Sequence, residues 1–154
     1  MNAIEQRLSD LGITLPIPAK PVANYVGWAR TGNLVFTAGQ VTLKDGKFEC
    51  IGKLGKEFSV DEGYKAARLC AVNIIAQLKD ACDGDLSRVK RIVKLVGFVN
   101  STADFTDQPK VVNGASDLMV EVFADKGKHA RSAVSAVSLP LGVAVEVEAI
   151  AEIE

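Results

Sequence analysis

The chain has 154 residues, 48% hydrophobic and 24% charged, a composition that fits one globular domain with room for a core. Eighteen basic residues stand against 19 acidic ones, a balance of −1 that argues against a chain built to neutralise a nucleic-acid backbone. No run approaches the roughly 18 apolar residues needed to cross a bilayer, and the acid-bearing start MNAIEQRLSD is no secretory signal, so a cytoplasmic protein without a membrane partner is expected.

In chain order, Ile4, Leu8 and Leu11 fall at helical spacing, and Gly12 supplies a stop. The connector LPIPAKP carries Pro16, Pro18 and Pro21 and should run extended, so residues 1–21 form an N-terminal helix and linker within a single domain, 1–154. Tyr25–Ala29 and Leu34–Val41 read as strands joined by a turn at Arg30-Thr31-Gly32-Asn33. Gly39 falls inside the second run, where a glycine weakens a strand unless a bulge or a ligand needs the space. Lys44-Asp45-Gly46-Lys47 is a further turn, and residues 48–58 read as an irregular loop.

Ser59-Val60-Asp61-Glu62 fits a capping box and opens a helix to about Cys82. Tyr64, Ala67, Ala71, Ile74, Ile75, Leu78 and Cys82 form its apolar stripe, and Asp83-Gly84-Asp85 ends it. Val89–Val99 is rich in β-branched residues and reads as a strand. A further helix starts near Asp107 with Pro109 in its first turn. Val111, Val112, Ala115, Leu118, Met119, Val122 and Phe123 form its apolar face, and Gly127 closes it.

The last residues give two β-type runs, Ser132–Leu139 and Ala144–Ile153, joined at Pro140-Leu141-Gly142 and expected to pair as a hairpin. The second alternates: Val143, Val145, Val147, Ala149 and Ala151 on one face, Ala144, Glu146, Glu148, Ile150 and Glu152 on the other. Arg131 and Glu146 would then sit near one another without being a direct ladder pair, so they could border one cleft. An arginine fork beside a carboxylate can bind an anionic small molecule and place a water next to it. The competing reading is an incidental edge charge and a solvent-facing glutamate, since surface ion pairs often carry no role. Elements in this order suggest an α+β fold, with two helices on one face of a mixed sheet plus the extra N-terminal helix.

Other chemistry is sparse. Cys50, Cys70 and Cys82 are odd in number and lack a CxxC spacing, so they read as free, small buried hydrophobes. His129 is the single histidine; an exposed loop residue is the simpler reading than an acid–base group, and no spacing suggests a metal site. The glycines form no dinucleotide or phosphate loop. Trp28 reads as core or interface rather than a base-stacking platform.

At this point several segments, in order, resemble one family. They are Thr37-Ala38-Gly39-Gln40, Phe98-Val99 with Asp104-Phe105, Ala130-Arg131-Ser132, Leu139-Pro140, and Val145-Glu146-Val147-Glu148-Ala149-Ile150-Ala151. They are similar to the RidA family, also called YjgF/YER057c/UK114, over roughly residues 22–152. The resemblance implies a chorismate-mutase-like fold, a homotrimer with clefts between subunits, and no metal or organic cofactor. It also implies a 2-iminobutanoate/2-iminopropanoate deaminase-like hydrolase, which turns enamines and imines into a 2-keto acid and ammonia.

By the same resemblance, Arg131 pairs with the substrate carboxylate and Glu146 holds the attacking water; Glu148 shares its face and competes for that part. Tyr25 would reach a neighbouring subunit's cleft, Gly39 would line it, and Asn113 matches the family's helix asparagine. Ala38 and Ala133 stand where the best-known branch has serine and cysteine, which should make the pocket more apolar. The alternatives are a non-catalytic keto-acid-binding trimer and the endoribonuclease label carried by some members, against which the charge balance speaks.

Overall fold

The structure, a computed structural model, describes residues 1–18 and 20–154; Ala19, in the expected extended connector, lies outside the described residues. Helix α1 (Ala3–Asp10) is capped by the Asn2 side chain, which accepts from the Glu5 amide at 2.9 Å. It buries Ile4 and Leu8, while Leu11 caps the helix and stays partly exposed.

Strands β1 (Trp28–Thr31) and β2 (Leu34–Thr37) pair around Gly32-Asn33, a tighter turn than the four-residue one expected. Gly32 has φ +57, the left-handed value such a turn needs. Gly39 therefore lies beyond the strand rather than inside it, next to an isolated bridge between Gln40 and Val147. A small hairpin follows, β3 (Leu43–Lys44) with β4 (Lys47–Phe48), turned by Asp45 and Gly46 at φ +51 and +79.

Helix α2 (Val60–Ala81) starts at the expected capping box: the Glu62 amide donates to Ser59 Oγ and the Ser59 amide donates to Glu62 Oε1. The stripe from Ala67 to Cys82 is fully buried, and only Tyr64 at its start is half-exposed. Helix α3 (Gln108–Phe123) begins after Asp107 as expected and buries all seven residues of its apolar face. It ends at Phe123, earlier than Gly127; a 3-10 turn, Ala124–Gly127, completes the exit.

Strands β5 (Val89–Asn100), β6 (Ala130–Ala136) and β7 (Val145–Ile153) finish the sheet, whose order is β1-β2-β7-β5-β6. The expected final hairpin does not form. Long β5 lies between the last two strands, parallel to β6 and antiparallel to β7. The physical reason is that β5 is buried on alternating positions along its centre and needs a partner on each edge. Two register shifts, near Lys90 and Val93, bend β5 and let Ile92 and Leu95 both face the core. Val145, Val147, Ala149 and Ala151 face the same core, so the predicted alternation of β7 holds. Cys70 and Cys82 are buried free thiols; Cys50 is only half-buried, a departure from the expectation for all three.

Candidate functional site

The sheet separates the expected site residues into two groups. Arg131 pairs in register with Leu95, whose side chain is buried in the core, and it shares that face. It emerges at the outer strand β6, beside α3, where Nη1 donates to Asn113 Oδ1 at 2.8 Å and Ser116 Oγ at 3.2 Å. Asn113 and Ser116 are three apart on α3 and so present one face to it. Ala133 lies two residues along β6 on the same side, packed against the core.

Glu146 pairs with Phe98 and alternates with core-facing Val145 and Val147, so it leaves the sheet on the face away from α2 and α3. Arg131 and Glu146 of one chain therefore do not border one cleft. The earlier expectation assumed their strands were neighbours, and β5 intervenes.

His129 is half-buried, not the exposed loop residue its position suggested. Its Nδ1 lies 2.6 Å from the Gly127 carbonyl and its Nε2 lies 2.9 Å from Ser116 Oγ. A carbonyl only accepts, so Nδ1 carries a proton; in the neutral imidazole Nε2 then accepts and the Ser116 hydroxyl donates to it. That orientation leaves a Ser116 lone pair for Arg131. Both hydrogens of Nη1 are thus engaged, while among the described residues Nε and Nη2 meet no protein acceptor. One edge of the guanidinium is left open in the geometry that holds a carboxylate with two parallel bonds.

The second group lines a cleft of about 750 Å3 that includes Tyr25, Ala38, Gly39 and Glu146. Tyr25 thus lines the cleft of its own chain. Among the described residues Glu146 has no ion-pair partner. Burial, and then the Glu148 charge, push its carboxyl above the usual value of 4.5. Gly39 makes this arrangement possible: a Cβ there would fall within contact of Glu146 Oε2. Glu148 itself is exposed and Glu152 half-exposed, so neither shares this enclosure.

Ser116, and the bond that ties His129 to it, escaped the sequence reading because nothing local marks them. Their link to Arg131 exists only because α3 packs beside β6. Among the described residues no cluster of His, Cys, Asp and Glu has the arrangement to hold a metal ion, and no helix is long and apolar enough to cross a membrane.

Comparison with known proteins gives a consistent set of relatives. The family described as "YjgF/chorismate_mutase-like, putative endoribonuclease" matches residues 5–153. Protein TCP17 of Trypanosoma cruzi is 46% identical over 151 residues, covering 97% of this chain and 94% of that protein. The structure of Atu1372 from Agrobacterium tumefaciens, of unknown function, superposes with a TM-score of 0.94 at 46% identity, covering 99% and 93% of the two chains. A Shewanella oneidensis protein described as a "putative endoribonuclease" superposes at 0.95 with 39% identity, covering 99% of this chain and all of that one, 100%.

Proposed function

The chain belongs to the YjgF/chorismate mutase-like family, and from that premise we propose that it hydrolyses a small carboxylate-bearing enamine or imine. The product is a 2-keto acid, and the site is shared between neighbouring copies of the chain. The observation that carries this reading is Glu146: a half-buried carboxylate, unpaired among the described residues and made more basic by its surroundings, set in a cleft against Gly39.

In this mechanism Arg131 of one copy holds the substrate carboxylate on its free Nε/Nη2 edge, with the plane of the C=N bond fixed by the same fork. Glu146 of a neighbour takes a proton from water as the oxygen adds to the imine carbon. Glu146 passes that proton to the imine nitrogen, giving the carbinolamine, which then collapses: Glu146 takes the hydroxyl proton and delivers it to nitrogen, the C–N bond breaks, and ammonia leaves as the C=O forms. One water is consumed and one ammonia released. An enamine substrate first takes a proton at carbon to become the imine.

Sharing between copies follows from the split described above, because neither face of one chain carries both groups. Strand β6 is an open sheet edge, and such edges commonly pair with or are covered by another chain. A homotrimer would place one chain's β6 edge against the next chain's cleft around a closed ring.

A second reading, a keto-acid binder without turnover, is favoured by one observation: Ala38 stands beside Gly39 in the cleft, so that position offers no side-chain hydroxyl to relay protons. The endoribonuclease wording attached to relatives has no counterpart in the site, which offers one free guanidinium edge and a carboxylate rather than a basic stripe.

The test is keto-acid release from freshly generated 2-aminoacrylate and bulkier imino acids, in wild type, Arg131→Ala and Glu146→Gln. Rates above buffer that vanish in both variants, with oligomer size unchanged, support hydrolysis. A wild type no faster than buffer on every imine sinks it, and keto-acid binding then decides for the second reading.

A further inference from the structure

A three-carbon acid would occupy little of the cleft beside Glu146, whose volume is about 750 Å3. Its walls are mostly apolar, with Ile17 and Val22 from the connector and Leu43, Phe48 and Leu141 from the loops. Two polar side chains enter it from α2, Asn73 and Gln77, one turn apart on one face of the helix.

The two differ in what they are bound to. Asn73 Nδ2 donates to the carbonyls of Val41 and Leu43, both at 3.0 Å, and so holds the loop that walls the cleft. Gln77 is only 4% exposed, yet its carboxamide makes no hydrogen bond to any described residue. No side-chain nitrogen or oxygen among the described residues is both buried and partnerless, so the Gln77 carboxamide opens onto the cleft, where a ligand or water can complete it. The carboxamide lies against Gly27, where a Cβ would stand 2.5 Å from Oε1. Gly27 in turn accepts from the Ala38 amide at 2.8 Å, next to the Gly39 that accommodates Glu146. Two glycines joined through one backbone bond thus admit both polar groups to the same cleft.

We propose that Gln77 is a ligand-contacting, specificity-determining residue. The cleft takes a 2-imino or 2-keto acid with a long, largely apolar side chain that carries an uncharged hydrogen-bonding group, such as a hydroxyl or carboxamide. The inference rests on the reading of Arg131 and Glu146 as the carboxylate and reacting ends. An uncharged group is specified because Gln77 is neutral, offers both donor and acceptor, and opens onto a mostly apolar cleft, where a lone charge is unfavourable.

The probes are 6-hydroxy-2-oxohexanoate and 2-oxoheptanoate, equal in length and differing by a terminal hydroxyl against a methyl. Titration calorimetry on the intact wild type should favour the hydroxyl acid by about 10-fold, since the methyl acid displaces water from the amide without replacing its hydrogen bonds. Gln77→Met, which keeps the volume, should erase that preference while its circular dichroism stays native. Equal affinities in wild type, or a preference that survives in Gln77→Met, would overturn the proposal. Should Gln77→Met not fold, the Gln77 side-chain amide resonance of the wild type must move more with the hydroxyl acid than with the methyl acid; failure to do so overturns it equally. Hydrolysis of imines without the hydroxyl preference removes the Gln77 contact alone. Preference in keto-acid binding without hydrolysis removes the hydrolase reading alone.

Discussion

Arg131 and Glu146 leave the sheet on opposite faces, one from the outer strand β6 and one from β7, with β5 between them. A site that uses both needs two chains. Mixing Arg131→Ala protein with Glu146→Gln protein should therefore restore activity that neither has alone. Random exchange of subunits gives about a quarter of the wild-type sites, because each site draws its arginine and its glutamate independently from two copies. Subunit mixing after partial dissociation, followed by the imine assay, checks this; no recovery despite proven exchange places both groups within one chain's reach.

The raised Glu146 carboxyl has a consequence for stability as well as rate. A group whose folded-state pKa lies above its unfolded one stabilises the fold while protonated. That contribution is fully present below the unfolded pKa and is lost as pH rises through the folded value. At neutral pH the charged side chain therefore weakens the fold, and Glu146→Gln should raise the melting temperature while removing catalysis. The rate of the wild type should fall on the acid side with a midpoint above the usual glutamate value of 4.5, since the base must be ionised. A variant that melts lower than wild type at pH 7 contradicts the assignment.

Gly39→Ala tests the enclosure around Glu146. The added Cβ meets the end of a flexible side chain rather than backbone, so the fold should survive with Glu146 displaced. A displacement of about 1 Å at the reacting group can cost about 100-fold in rate. The expected signature is a fall in kcat of that order with near-native melting.

Ser116→Ala should loosen Arg131 without removing its charge. Loss of one hydrogen bond to a charged group is worth about 1.5–3 kcal/mol in full, and less here because Asn113 remains. Weaker keto-acid binding by several-fold, with Asn113→Ala adding to it, is the expected result in calorimetry. Nitrogen NMR of the imidazole should show His129 protonated at Nδ1, as the Gly127 carbonyl requires. The Nε2 tautomer would contradict the orientation deduced for Ser116.

The capping box predicts a purely structural effect. Ser59→Ala removes the acceptor of the Glu62 amide at the start of α2 and should cost about 1 kcal/mol. Chemical denaturation checks it, and the imine assay should not change.

What the sequence by itself determined is whatever depends on neighbours along the chain. Residues 59–62 cap α2, Asp107 and Pro109 start α3, and the alternation from Val145 to Ile153 orients β7, because hydrogen bonds and side-chain periodicity within one element need no other. The α+β class followed from the order of those elements. Ordered motifs from Thr37 to Ala151 also carried the family resemblance. Which strands lie side by side was decided only in the tertiary structure. The apparent hairpin of β6 and β7 gave way to β5, since a strand buried at its centre gains more from two neighbours than two short strands gain from one another. That single choice put Arg131 and Glu146 on different faces. It also set β6 against α3, where Ser116 meets Arg131 and His129 across gaps of 15 and 13 residues in the chain. No pattern of period two or 3.6 encodes such a contact, because it is made by packing between elements and not within one.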